Sequence, residues 1–139
     1  MRKYLLSLKE LDIVVMGLIS NFSSGVVILR GDLAAGKTTF VKRVVKYLQI
    51  DEEVTSPTFS LQHCYGNKIF HYDMYNHGVD HFISLGMLEE LEREGLHFVE
   101  WGDDKLVEIL NSAEIKNMTL DIKKISDDKR EYTLCIHYK

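Results

Sequence analysis

Hydrophobic positions recur with two different periods in the first fifty residues of the chain. Apolar side chains return at helical spacing across residues 8–22, behind a Ser7–Glu10 pair that matches a capping box. The uninterrupted aliphatic run at residues 26–29 is typical of a strand buried on both faces, as in a parallel sheet. A second helical stripe covers residues 40–48. The pattern therefore predicts a helix followed by a strand, a short loop and another helix.

The rest of the chain predicts shorter elements. Two extended runs, residues 59–65 and 68–72, flank a Gly66-Asn67 turn and predict a hairpin. Residues 87–94 favour a helix, residues 96–99 a mostly apolar strand, and residues 105–110 a short helix. Alternating runs at 118–122 and 131–138 predict an antiparallel pair of strands at the edge of a sheet.

Composition places the chain among ordinary globular proteins. Of its 139 residues, 45% are hydrophobic and 27% charged, which predicts one domain spanning residues 1–139. A formal net charge of −4 argues against a broad basic face for nucleic acid, so any role with RNA is expected to be indirect. The longest early apolar run, residues 13–19, is too short to cross a membrane. We therefore expect a cytoplasmic protein without an export signal or membrane contact, whose two cysteines are reduced.

Residues 31–38 read G-D-L-A-A-G-K-T and match the phosphate-loop pattern between a predicted strand and a predicted helix. Gly31 and Gly36 permit backbone conformations in which successive N–H groups point at phosphate oxygens. The Lys37 ammonium suits the β and γ phosphates, and the Thr38 hydroxyl is a ligand for Mg²⁺. Thr39 either adds a hydroxyl near the α phosphate or lies on the helix surface.

Two carboxylates follow predicted strands and are candidates for the acidic partner that a phosphate loop requires. Glu100 ends the apolar run beside the expected phosphate-loop strand and is favoured as a metal ligand, directly or through water. Asp73 could orient the attacking water or hold a metal-bound water, and either residue could instead be a solvated turn carboxylate. The chain lacks the N-K-x-D element that selects guanine, so adenine nucleotides are favoured. Its five arginines form no cluster, which disfavours a small-molecule kinase.

Four sequence blocks occur in an order that resembles a known family. They are GDLAAGKTTF at residues 31–40, VTSPTF at 54–59, HYDMY at 71–75 and EW at 100–101. This order resembles the TsaE (YjeE) family, the ATPase of tRNA threonylcarbamoyladenosine biosynthesis. The resemblance implies an α/β, P-loop NTPase-like fold of three layers with a mixed parallel and antiparallel sheet. It also implies binding of ATP and Mg²⁺, weak ATPase activity, and assembly with TsaB-like and TsaD-like proteins that modify the tRNA adenosine beside the anticodon.

The resemblance also implies roles for individual residues. Lys37 and Thr38 take the phosphate and magnesium roles, Glu100 is the metal-site acid, and Asp73 serves hydrolysis. This chain departs from the family pattern at Ala34, where the family usually has a second glycine, and at Asn76, where it commonly has an arginine. The implied nucleotide-binding set is Gly31, Leu33, Ala34, Ala35, Gly36, Lys37, Thr38 and Thr39, with Glu10 near the base. The resemblance further implies a switch facing the γ phosphate, made of Thr55, Ser56, Pro57 and Thr58. It also marks three further motif residues, His71, Tyr75 and Trp101.

The leading interpretation is an ATPase that turns over slowly alone and faster with its partners, because the sequence shows no clear arginine finger. Two alternatives remain. In one, ATP only orders a docking surface, and the chain is a non-catalytic assembly module. In the other, less favoured alternative, the chain is a small-molecule kinase. Four aromatic residues are expected to pack in the core and hairpin rather than to stack on RNA bases: Phe59, Tyr65, Tyr72 and Tyr75.

Overall fold

The computed structural model describes residues 1–32, 35–52, 62–75 and 78–137. Within these residues, seven strands form one sheet. Along the chain they are β1 (Arg2–Leu6), β2 (Gly25–Arg30), β3 (Gln62–Tyr65), β4 (Ile69–Asp73), β5 (Leu96–Glu100), β6 (Asn117–Lys124) and β7 (Arg130–Ile136). Across the sheet their order is β1-β7-β6-β2-β5-β4-β3.

The centre of the sheet is parallel and both of its ends are antiparallel. β2 pairs in parallel with β5 and β6, and β5 pairs in parallel with β4. β1, β7 and β6 form antiparallel pairs on one side, and β3 pairs with β4 antiparallel on the other. The carboxyl ends of the four parallel strands meet at one edge of the sheet. This is the edge at which open α/β sheets bind their ligands.

Five α-helices cover the two faces of the described sheet: α1 (Asp12–Asn21), α2 (Lys37–Tyr47), α3 (Val79–Ser84), α4 (Met87–Leu91) and α5 (Asp104–Ser112). α1 and α2 share a core with Val27 and Leu29 of β2, whereas α3, α4 and α5 share a core with Val26 and Ile28. The four aliphatic side chains of β2, at residues 26–29, are completely buried, as the continuous aliphatic run predicted. The predicted three-layer α/β architecture with a mixed sheet is confirmed.

Several predicted elements have the expected place in this architecture. The strand at residues 26–29, the helical stripe behind the phosphate loop and the strand at 96–99 correspond to β2, α2 and β5. The predicted hairpin is the β3–β4 pair, although positions 59–61 of its predicted first strand lie outside the described residues. Its turn residues Gly66 and Asn67 have φ values of 59° and 55°. Positive φ at both central residues suits the twist of a two-residue hairpin turn. Tyr65 and Tyr72 of this hairpin are buried, as expected.

The prediction that the C-terminal strands form the edge of the sheet is wrong. β6 lies between β7 and β2, and the edge is formed by β1, a strand that the periodicity of the first residues did not predict. Tyr4 of β1 lies opposite Tyr132 of β7 and packs against the core, whereas Leu5 is 58% exposed. This alternation spans only five residues, which is too short a signal to separate a strand from the helix that follows.

The helices also begin and end differently from the prediction. The N-terminal helix is split into a 3₁₀ turn (Leu8–Glu10) and α1, because the first backbone bonds close after three residues instead of four. The predicted capping box is present, since the Glu10 carboxylate accepts hydrogen bonds from the Ser7 N–H and hydroxyl, both at 3.0 Å. The helix predicted over residues 87–94 ends at Leu91, where tight turns lead to Gly95. α3 was not predicted, because six residues give too short a periodic pattern. No helix among the described residues is long and apolar enough to span a bilayer.

A buried polar network joins β4 to β5 on the side opposite α2. The Tyr72 hydroxyl donates to His97 Nδ1 at 2.7 Å, and His97 Nε2 donates to the Arg93 carbonyl at 2.7 Å. The His97 ring stacks on Phe70 with a centroid separation of 4.4 Å. Burial lowers the pKa of His97 below its ordinary value, although the hydrogen bond to Arg93 opposes this effect. His97 is therefore neutral in the folded protein, with one nitrogen accepting and the other donating.

This network predicts a pH dependence of stability. Because the pKa of His97 is lower in the folded state than in the unfolded state, the unfolded chain binds a proton more readily. The free energy of unfolding should then have its full value above about pH 6.5, the ordinary pKa of histidine. It should decline as the pH falls below that value. Urea unfolding from pH 7.5 to pH 5.5 measures the decline. We expect a smaller decline for His97→Gln than for the wild type, and equal declines would contradict the assignment.

Candidate nucleotide and magnesium site

The loop between β2 and α2 has a backbone that only glycine accommodates at two positions. Gly31 has φ of 152°, and a Cβ there would lie 2.6 Å from the Ile122 carbonyl oxygen of β6. Gly36 has φ of 113° and directly precedes α2. The first N–H groups of α2 have no partners within the helix and carry its positive dipole end. The two glycines at the ends of the loop and the start of α2 therefore form an arrangement suited to binding phosphate.

Lys37 is the first residue of α2, and its ammonium is held by two groups. Nζ donates to the Gly31 carbonyl at 2.7 Å and lies 3.3 Å from the ring centroid of Trp101. Only 5% of the residue is exposed. Burial lowers the pKa of Lys37, and the negative charges of Glu100, Asp73 and Asp32 oppose this effect. The site thus contains a largely dehydrated cation beside the phosphate loop, where its attraction for an anion is strong.

Sheet register brings the two candidate carboxylates together. Glu100 at the end of β5 lies between Leu29 of β2 and Asp73 at the end of β4. Both carboxylate residues are buried, with 4% of Glu100 and 8% of Asp73 exposed. The alternation of side chains along β5 puts Glu100 on the same face as Phe98, which packs against Phe40 of α2. Both acids therefore lie on the side of the sheet that carries the phosphate loop helix.

Glu100 is connected to the phosphate loop by hydrogen bonding. The Thr38 hydroxyl donates to Glu100 Oε2 at 3.0 Å, and the same oxygen contacts His71 Nε2. A hydroxyl next to a carboxylate is a set of hard oxygen donors that fits Mg²⁺. In the described parts of the chain, no group of three His, Cys, Asp or Glu side chains is arranged to hold a metal ion. A magnesium ion at this site would accordingly complete its shell with water and phosphate oxygens, as is usual in nucleotide-binding proteins.

The residues around the acids form a small aromatic wall. Trp101 follows Glu100 with φ of 66°, a conformation that is rare for a bulky residue and that turns the chain sharply after β5. Its ring packs against Tyr75 at a centroid separation of 5.0 Å. Tyr75 itself is 55% exposed, so the expectation that it packs in the core is wrong. The Tyr75 N–H donates to Asp73 Oδ1 at 2.8 Å, which ties the aromatic pair to the second acid.

The comparisons with known proteins agree on one family. Residues 7–132 match the family model described as threonylcarbamoyl adenosine biosynthesis protein TsaE. The chain belongs to the TsaE family. It is 36% identical over 112 residues to the tRNA threonylcarbamoyladenosine biosynthesis protein TsaE of Treponema pallidum, covering 78% of this chain and 80% of that protein. The TsaE protein of Bacillus subtilis is also 36% identical, over 78% of this chain and 67% of that protein. The family of this chain acts in tRNA threonylcarbamoyladenosine biosynthesis.

A solved structure has the same fold. The crystal structure of Bacillus subtilis YdiB superimposes with a TM-score of 0.69 at 26% identity, covering 97% of this chain and 84% of that chain. The match supports the P-loop architecture of this TsaE-family chain. It extends beyond the phosphate loop to the strands that carry Asp73 and Glu100.

The structure of this TsaE-family member brings most of the predicted site residues together. Nine of them surround the carboxyl ends of β2, β4 and β5: Gly31, Gly36, Lys37, Thr38, His71, Asp73, Tyr75, Glu100 and Trp101. Ala35, at the end of the loop, is buried. Thr39 lies on the first turn of α2 and is exposed. Glu10 lies at the surface, where Lys129 Nζ donates to its carboxylate at 3.4 Å. Predictions for the following residues lie outside the described part of the chain: Leu33, Ala34, Thr55, Ser56, Pro57, Thr58, Phe59 and Asn76.

One residue beside the TsaE phosphate loop was not predicted. Arg130, the first residue of β7, donates from Nε to the Ala35 carbonyl at 2.7 Å and flanks Gly36. It is separated from the loop by 95 positions and belongs to no motif of the sequence. Only the return of β7 alongside β6 brings its guanidinium to this place. The structure thus adds a second cation to the edge of the phosphate loop.

Proposed function

We propose that this chain is a Mg²⁺-dependent ATPase that supports threonylcarbamoyl modification of the tRNA adenosine next to the anticodon. In this proposal it acts on a complex of TsaB-like and TsaD-like proteins and contacts tRNA only indirectly. The observation that carries the ATPase assignment is the 3.0 Å hydrogen bond from the phosphate-loop hydroxyl of Thr38 to Glu100. It joins a phosphate loop to an acid on the neighbouring parallel strand, which is the pair that Mg²⁺ requires in P-loop NTPases.

The chemistry is divided among four side chains. Lys37 and the N–H groups of the loop bind the β and γ phosphates. Thr38 and Glu100 would hold Mg²⁺, which would supply positive charge to neutralise the phosphate oxygens. Asp73 lies beside Glu100 in register and is a suitable acceptor for orienting the attacking water. The dehydrated surroundings of Lys37 strengthen each of these charge interactions.

The proposed partner dependence leads to a direct test. ATP hydrolysis should be slow for the chain alone and rise at least about tenfold with the TsaB–TsaD pair, because an arginine supplied in trans accelerates related NTPases by about 10³–10⁵. Phosphate release, measured with and without the pair, gives the ratio. Lys37→Ala in the presence of the pair serves as the control and should stay at background.

Two outcomes would contradict this proposal. Equal rates with and without the pair would show that the partners do not complete the site. ATP-dependent assembly of the complex and normal tRNA modification by a variant that cannot hydrolyse ATP would instead identify a non-catalytic assembly module.

A further inference from the structure

His71 is a buried histidine whose only hydrogen-bond contact among the described residues is a site carboxylate. It lies in the middle of β4 with no exposed surface, on the same face of the strand as Asp73. Its Nε2 contacts Glu100 Oε2, the oxygen that also accepts from Thr38. Three elements of the fold, β4, β5 and α2, therefore meet at one carboxylate oxygen.

The hydrogen bonding indicates how the imidazole is arranged. A carboxylate oxygen accepts, so Nε2 carries a proton and donates to Glu100. The other ring nitrogen, Nδ1, is fully buried and has no hydrogen-bond partner in the described structure. An unprotonated nitrogen can lack a partner at a smaller cost than a buried N–H group, which is rarely left unpaired. Both nitrogens are therefore consistent with a neutral ring that donates from Nε2 only.

We propose that His71 is a positioning residue that fixes the Glu100 carboxylate for Mg²⁺ binding. Thr38 and His71 both hold Oε2, which restricts rotation of the carboxylate and leaves Oε1 without a hydrogen bond among the described residues. A metal ligand held in this way loses less freedom when it binds the ion, and such supporting partners typically contribute about 10- to 100-fold to metal affinity. This inference rests on the proposed function, because it assigns His71 a role in the same site.

Two substitutions of His71 separate positioning from packing. In His71→Gln, the amide nitrogen can occupy about the place of Nε2 and donate to Glu100. In His71→Asn, the shorter amide reaches only about as far as Nδ1 and cannot. The affinity for ATP is measured by calorimetric titration at a series of Mg²⁺ concentrations and in EDTA. The series gives the Mg²⁺ concentration at which ATP affinity has gained half of the full increase that Mg²⁺ produces. Thermal unfolding without nucleotide compares the two folds.

We expect His71→Asn to raise the Mg²⁺ concentration at half of the full gain by about 10-fold or more and to leave ATP binding in EDTA unchanged. His71→Gln should restore most of the wild-type Mg²⁺ dependence. Wild-type Mg²⁺ dependence in His71→Asn, or equal losses in both variants, would overturn the proposal. Absence of any ATP binding by the wild type would instead overturn the proposed function.

A measurement on the unsubstituted protein decides the question if the Asn variant does not fold. Nitrogen NMR of the imidazole groups should show His71 with its proton on Nε2. If the ring were protonated on Nδ1 alone, two acceptors, His71 Nε2 and Glu100 Oε2, would face each other, and this result would overturn the proposal.

Discussion

Replacing Lys37 by alanine is expected to remove ATP hydrolysis almost completely, by about 10²- to 10³-fold or more. This is the usual range for deleting one preorganised group that stabilises charge developing in a transition state. The structure places Lys37 at the upper end of that range, because only 5% of the residue is exposed and few water molecules compete with the phosphates for its ammonium. ATP affinity should fall as well, since the same ammonium contacts phosphate in the ground state. Phosphate release and calorimetric titration measure the two effects.

The chain offers a matched control for this substitution on the same helix. Lys42 also lies on α2 but is exposed, so Lys42→Ala removes the same charge without altering the loop. Fluorescence of Trp101, the only tryptophan, provides a second readout because Lys37 lies against its ring. ATP should change this fluorescence in the wild type and in Lys42→Ala, but not in Lys37→Ala. Normal hydrolysis by Lys37→Ala would contradict the phosphate role of the lysine.

The elements around the site were the most predictable part of the fold. Continuous burial of β2 leaves an unbroken aliphatic run, and the amphipathic helix after it leaves a 3.6-residue period, so both signals are local. The phosphate-loop pattern lies between them and requires this strand–loop–helix order. The acid at the end of β5 could also be predicted, because residues 96–99 were apolar enough for a strand beside β2.

The position of the C-terminal strands could not be predicted in the same way. Their alternation identified an antiparallel pair, but β1 pairs with β7 across 124 to 132 positions of sequence and covers the expected edge. Sequence separation of this kind leaves no periodic trace. Arg130 was missed for the same reason, since its approach to Ala35 depends on how β6 and β7 lie beside the loop.

Side-chain contacts within the site were also beyond sequence reasoning. The motif around His71 indicated that the residue belongs to the site, but not that it meets Thr38 at one oxygen of Glu100. The sequence favoured Glu100 as the metal ligand over Asp73, but it could not exclude a metal role for Asp73, because one sequence gives no distances. The hydrogen bond from Thr38 favours Glu100, whereas Asp73 accepts from the Tyr75 backbone. Direct experiments on Glu100 can separate the two acids.

Replacing Glu100 by glutamine is expected to change ATP binding in opposite directions with and without Mg²⁺. The amide keeps the size of the side chain but removes a buried negative charge next to the phosphate loop. Without Mg²⁺, this charge repels the phosphates of ATP, so Glu100→Gln should bind ATP at least as tightly as the wild type. With Mg²⁺, the variant loses a charged oxygen ligand, and the required Mg²⁺ concentration should rise at least about tenfold. The rate of ATP hydrolysis at a fixed Mg²⁺ concentration should fall as a result.

The reversal separates a metal ligand from a residue that only supports the fold. A structural defect would weaken ATP binding under both conditions, whereas loss of a metal ligand weakens it only when Mg²⁺ is present. Glu108→Gln, at an exposed position of α5, removes one charge elsewhere and should behave as the wild type in both titrations. If Glu100→Gln keeps the wild-type Mg²⁺ dependence while Asp73→Asn loses it, the metal role belongs to Asp73. The hydrogen bond from Thr38 would then serve only to hold the start of α2 against β5.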